Sequence, residues 1–184
     1  MTSHRFSTRI AVKTIALCAV GIIVVSVSGC SPDLAPAPSP SPVFASEEEA
    51  FAAAEEVYRA YNDALNAIDP AEPRSFEPVF ELSSGEFQRA DRENLSIMHA
   101  EHHVVSGDAL VVSFDGESAS PTYEEVTAVV CLDVSAVRIT DVDGTSLVSI
   151  DRPDVYALSL RFVDSGGALK IDSASRIEDP ACVS

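Results

Sequence analysis

The sequence predicts an α+β domain in which N-terminal helices pack on a curved antiparallel sheet. Two observations carry this. Between residues 46 and 100 the apolar residues recur at three- and four-residue steps, the period of helices with one buried face. After His103 they fall into short runs rich in valine, isoleucine and leucine, divided by glycine- and aspartate-containing turns. Helices first and hairpin-linked strands afterwards is the α+β order, not the alternation that builds a parallel sheet. Residues 46–184 are enough for one domain that buries about two thirds of its unfolded surface.

Residues 1–45 stand apart. Residues 1–14 carry Arg5, Arg9 and Lys13 and no acid, an apolar run follows over 15–27, and Val27-Ser28-Gly29-Cys30 closes it. Basic, then apolar, then small residues is the layout of a cleaved export signal. The block resembles the lipobox of bacterial lipoproteins, an aliphatic residue and a small pair before a cysteine. The resemblance implies that residues 1–29 are removed as a signal peptide. It also implies that the Cys30 thiol takes up a lipid and that the chain is held at the extracytoplasmic face of the cell membrane. An uncleaved anchor is the competing reading, but the apolar run is well short of the ~20 residues that span a bilayer. Cys18 lies inside the run and is discarded with it. In residues 31–45 there are five prolines. Proline fixes φ and has no amide hydrogen, so residues 30–45 are expected to be the lipidated cysteine and an extended spacer of ~3.1 Å per residue.

Ser46-Glu47-Glu48-Glu49 reads as a capping box, with three acids in the first turn to suit the helix dipole. Phe51, Ala54, Tyr58, Tyr61, Leu65 and Ile68 then mark one face of a helix of about 22 residues. Asp69-Pro70 ends it. Phe76, Val79, Phe80 and Leu82 follow in a short segment bounded by prolines. A second helix is expected over residues 84–100, with Ser83 or Ser84 as its cap and Phe87, Ala90, Leu95 and Met98 as its apolar contacts.

Val104-Val105 and residues 109–114 read as strand. Residues 124–140 (EEVTAVVCLDVSAVRIT) are apolar on both faces, which predicts one long central strand bent by a bulge near Ser135. Asp143-Gly144 is a hairpin signal between 137–139 and 147–148. Tyr156, Leu158, Leu160 and Phe162 alternate strictly. Ser165-Gly166-Gly167 turns the chain into a last strand with Leu169 and Ile171.

A long first helix, a second helical segment, then a curved sheet with one long strand resembles the NTF2-like (cystatin-like) cone. The resemblance covers about residues 46–184 and rests on element order alone. It implies a sheet wrapped around the long helix with a pocket at the open end. Members of that family include small-molecule enzymes and non-enzymatic binding modules, so fold does not choose function.

The net charge is −17, and removing residues 1–29 takes away three basic residues and no acid. Such a field repels nucleic acid and anionic headgroups, so no nucleic-acid partner is expected. After cleavage three cysteines remain. With Cys30 lipidated, Cys131 and Cys182 form the expected disulfide in an oxidising compartment.

Candidates for chemistry are sparse. His99, His102 and His103 fall in MHAEHH, where His99 and His103 share a helix face at the spacing of two zinc ligands. Glu101 does not complete a zincin motif and no third ligand is evident, so a solvated helix end is expected and no metal. Asp141-Val142-Asp143-Gly144 begins like a calcium loop but lacks the later bidentate glutamate. An inward acid or base in an NTF2-like pocket would have to come from Tyr58, Tyr61, Asp91 or His99. No catalytic residue or cofactor is therefore assigned. The expected function is a membrane-tethered, non-enzymatic binding or assembly module whose partner is an envelope protein or a small ligand. A pocket enzyme or ligand carrier of the NTF2-like type is the alternative.

Overall fold

The computed structural model describes residues 42–182. The expected export signal, Cys30 and all but the end of the proline-rich spacer lie outside these residues. Helices are followed by an antiparallel sheet that does not close on itself, the α+β arrangement expected.

Helix α1 spans Glu47–Asn66. The Ser46 hydroxyl accepts from the Glu49 amide at 3.2 Å, as the capping box requires. The Glu49 carboxylate reaches one residue further back than expected, to the Ala45 amide at 2.8 Å. Just before it, the Val43 amide donates to the Thr122 carbonyl at 3.0 Å, and Phe44 packs against the core. The last spacer residues are thus held on the domain.

After a 3₁₀ turn at Pro73–Phe76, helix α2 takes Glu77–Glu81 and α3 takes Gly85–Ala100. Ser84 occupies the N-cap position of α3, but its hydroxyl makes no capping bond. Instead its amide donates to the Ile171 carbonyl at 2.8 Å, and the Ile171 amide donates to Leu82 at 3.1 Å. The expected contacts Phe87, Leu95 and Met98 join the core. Ala90 does not: it is exposed. Asp91 takes the core-facing position that the apolar pattern had assigned to its neighbour.

The main sheet runs β2-β3-β5-β6, with β2 Leu110–Ala119, β3 Glu125–Asp133, β5 Val155–Asp164 and β6 Leu169–Ile177. All its neighbours are antiparallel. Bulges interrupt β2 twice and the β5–β6 pairing once, and a bulge bends and twists its strand. The sheet consequently curves, and α1 touches β3 and both edge strands. Ala50, Ala54, Tyr58 and Tyr61 of α1 meet Val126, Ala128, Val130, Leu160 and Phe162 in one core. Small residues allow the close approach. A Cβ on Gly116 would collide with the Phe51 ring.

The long bent strand expected over 124–140 is broken, not bulged. Strand β3 stops at Asp133, and β4, Arg138–Thr140, pairs with β1, Val104–Ser106, in a separate two-stranded sheet. The break is stapled from several sides. The Asp133 carboxylate accepts from the Ser135 amide at 2.8 Å, and the Val137 amide donates to Val134. The Arg152 guanidinium donates to the carbonyls of Val134 and Val137 at 2.8 and 2.9 Å. Gly107, at φ +76, lets β1 come so close that any Cβ would collide with the Ala136 carbonyl. A turn forms at this site but one residue earlier than the two-residue hairpin expected: the Gly144 amide donates to the Asp141 carbonyl at 3.1 Å around Val142-Asp143, and Gly144 follows at φ +81. Its second arm shrinks to one bridge, Thr140 to Ser146, so residues 147–148 are not a strand.

Candidate functional site

Of the four side chains nominated for pocket chemistry, the fold joins two by a hydrogen bond and sets a third, Tyr58, with its ring 6.2 Å from that of Tyr61. Tyr61 on α1 donates its hydroxyl to Asp91 Oδ1 on α3 at 3.0 Å. Asp91 Oδ2 is buried without a hydrogen-bond partner. Burial pushes the Asp91 carboxyl up to about 6, although the hydroxyls of Tyr61 and Ser83 favour its charged form. Burial also drives the Tyr58 and Tyr61 hydroxyls well above the ordinary phenol range, with the charge of Asp91 adding to the effect at Tyr61.

A carboxyl poised near 6 beside a tyrosine has the elements of acid–base chemistry. Aromatic rings pack closely around it, between α1 and the sheet and between α1 and α3. Tyr58 lies 6.5 Å from Phe114, Phe114 lies 6.1 Å from Phe162, and Tyr61 lies 5.2 Å from Phe87. Tyr58 and Tyr61 are buried core residues, and the principal surface grooves are lined by other residues.

The histidines diverge. The α3 helix ends in a Schellman motif: the His103 amide donates to Met98 and the His102 amide to His99. The C′ residue of that motif must enter the left-handed region, and His102 does so at φ 55. His99 and His103 consequently take different partners. His99 Nδ1 lies 2.7 Å from the Pro70 carbonyl, and His103 Nε2 lies 2.9 Å from Glu101. Among the described residues no three His, Cys, Asp or Glu side chains are placed to hold a metal. In the Asp141 loop the carboxylate that opens the sequence is spent on the turn itself, accepting from the amides of Asp143 and Thr145 at 2.9 and 2.8 Å.

Cys131 and Cys182 meet on the outer face of the sheet, with sulfurs at disulfide distance and Cα atoms 5.3 Å apart. Ala157, Val155 and Ile177 pack against them. Beside this pair opens a groove of about 560 Å³, and a second of about 470 Å³ adjoins it. Both share Pro153, Tyr156 and Arg176, and the Arg176 guanidinium stacks 4.1 Å from the Tyr156 ring centroid. The second groove adds Ile139 and Leu147. This end of the sheet, where β3 and β6 finish and β5 begins, thus carries two adjoining grooves with both apolar and polar walls. Sequence reasoning missed it. Its parts come from β4, the following loop, β5 and β6, and no local pattern joins them.

No protein-family model matches the chain, and no curated protein does. Among solved structures, the intermembrane-space region of the chloroplast protein ARC6 superposes with a TM-score of 0.51 at 14% identity, covering 70% of this chain and 97% of that one. A Novosphingobium aromaticivorans protein provisionally described as an aromatic ring hydroxylase gives 0.48 at 11% identity, covering 72% and 96%. A Caulobacter vibrioides protein with a cystatin-like fold gives 0.44 at 16% identity, covering 73% and 94%. At 14% identity the likeness to the ARC6 region is one of fold alone.

Proposed function

We propose that this chain is a lipid-tethered binding or assembly module at the extracytoplasmic face of the cell membrane, and not an enzyme. The observation that carries the reading is the filled interior. The position where an NTF2-like pocket would open holds the rings of Tyr58, Tyr61, Phe87, Phe114 and Phe162. The acid that lies there, Asp91, is bound to Tyr61. The anchoring half of the proposal rests on Val27-Ser28-Gly29-Cys30 behind a basic and apolar leader. The pocket enzyme or carrier remains the second reading because Asp91 has the raised carboxyl such chemistry wants.

Two measurements test the halves separately. Metabolic labelling with a fatty acid is expected to mark the wild-type chain and to fail in Cys30→Ala, which stays uncleaved or mislocalised. Label retained by that variant overturns the anchor. Titration of the folded domain with a panel of small apolar and aromatic ligands, followed by NMR, is expected to leave the Tyr58 and Phe114 ring signals unmoved. Saturable shifts there would replace the binding module by a pocket enzyme or carrier.

A further inference from the structure

The large aliphatic side chains exposed among the described residues gather at one end of the domain. Val142, Leu147 and Ile150 sit in the loop after β4, Val104 in β1, and Leu110 and Val112 at the start of β2. Ile97 lies in the last turn of α3, one turn before β1. The extreme case is Ile150, 98% exposed at the tip of a turn that the Arg152 amide closes on the Ser149 carbonyl. The groove beside Leu147 and the Tyr156–Arg176 stack belongs to the same end.

The chain enters at the opposite end. Val43 is bonded to Thr122, in the turn between β2 and β3. Strands β2 and β3 run the length of the sheet between that turn and the apolar end. Scattered exposed aliphatics are ordinary on any surface, but a gathered set marks a place of contact.

We infer that this end is a docking surface for another protein whose contact face has an apolar centre and a rim of lysine and arginine. The inference rests on the binding-module reading and names the chemistry of its partner. The rim is assigned by charge. Asp108, Asp143, Asp151, Asp154 and Glu178 are exposed at this end and none enters an ion pair among the described residues, while the three arginines there are engaged within the fold: Arg138 on the Ser135 and Val137 carbonyls, Arg152 on those of Val134 and Val137, and Arg176 on the Tyr156 ring. A second copy of this chain would set the same acids against them in a symmetric contact, and like charges there oppose association. Anionic headgroups meet the same repulsion. A basic rim is attracted, and the apolar side chains then lose water at the centre of the contact.

The test places a photo-crosslinking residue at Ile150, or at Glu117 near the chain-entry end, in the full-length chain in the cells that make it. The expected result is one discrete protein adduct from position 150 and none from 117. Its yield should fall several-fold in Leu147→Asp, and likewise in ~0.5 M salt, where screening shrinks to a few Å. The partner peptide in the adduct should carry Lys or Arg beside apolar residues. An adduct at 150 to a second copy or to lipid overturns the inference. So does a yield indifferent to salt and to Leu147→Asp. An adduct from 117 alone overturns it while leaving the binding-module reading intact. No adduct from either position, with both proteins folded by circular dichroism, sinks both.

Discussion

Asp91 is the residue whose environment most contradicts its chemistry. Its ordinary value is 3.8, and burial lifts it to about 6 in the fold. The folded state therefore binds more protons than the unfolded state between about pH 4 and 6, and stability falls as pH rises through that window. Glu125 has the opposite sign. Its bond to Arg161 lowers its value, so its contribution is lost only at more acid pH. Asp91→Asn keeps an oxygen for the Tyr61 hydroxyl and removes the buried charge. We expect the variant to melt a few degrees higher than wild type at pH 7, with the difference shrinking to nothing near pH 4. Thermal melts of both proteins across pH 4–8 check this. A difference that is flat in pH would mean that Asp91 stays charged in the fold. The sequence already placed Tyr61 and Asp91 among the candidates, each alone. That they meet depends on how α1 crosses α3, a long-range fact that no local spacing contains.

The elements were readable where their own residues define them. The period of Ala54, Tyr58 and Tyr61 marks the buried face of α1, and Asp143-Gly144 marks its turn to within one residue. They were not readable where a distant group makes the structure. Residues 134–137 contain neither glycine nor proline, so the end of β3 was hidden. The break is made by Arg152 and by Gly107, just past the end of β1. The start of β2 is a second case. Asn62 and Asn66 look like the polar side of α1, yet Asn62 is buried and both amides donate to the Ala109 carbonyl at 2.9 Å. Asn66 also accepts from the Ala109 amide at 2.9 Å, so its side chain imitates a paired strand. Asn66→Ala would leave that amide without its partner, and such a loss costs ~1–3 kcal/mol. We expect urea denaturation to show a drop of that size with an unchanged m-value. Hydrogen exchange should speed first at Ala109 and the beginning of β2. Unaltered stability would show that water replaces the side chain at no cost.

At the scale of the whole molecule, the chain must hold together against its own charge of −17, and the Cys131–Cys182 pair is the long-range tie available to it. Cys131 sits in β3, the most buried strand. Cys182 sits in the 3₁₀ turn Pro180–Cys182 that returns across the outer face of the sheet, where Ala157 and Ile177 complete a small second core. The cysteine count alone pointed to this pair, because two cysteines remain once Cys18 and Cys30 are set aside. The return of the C-terminal tail to β3 was not visible in the sequence. With a sequence separation of 51, closing the loop is worth about 4 kcal/mol in the chain-entropy model. That is a large part of the ~5–15 kcal/mol of a typical domain. A non-reduced digest of protein isolated from the cells that make it should therefore yield one peptide joining Cys131 to Cys182. Cys182→Ser should lower stability by a few kcal/mol and loosen residues 178–182, while the α1–sheet core stays intact by near-UV circular dichroism. Added salt should recover part of the lost stability by screening the acids, and more so in the variant, whose unfolded chain is free to expand. Two free thiols in the isolated protein would remove the tie, and with it the reason for the tail to lie on β3.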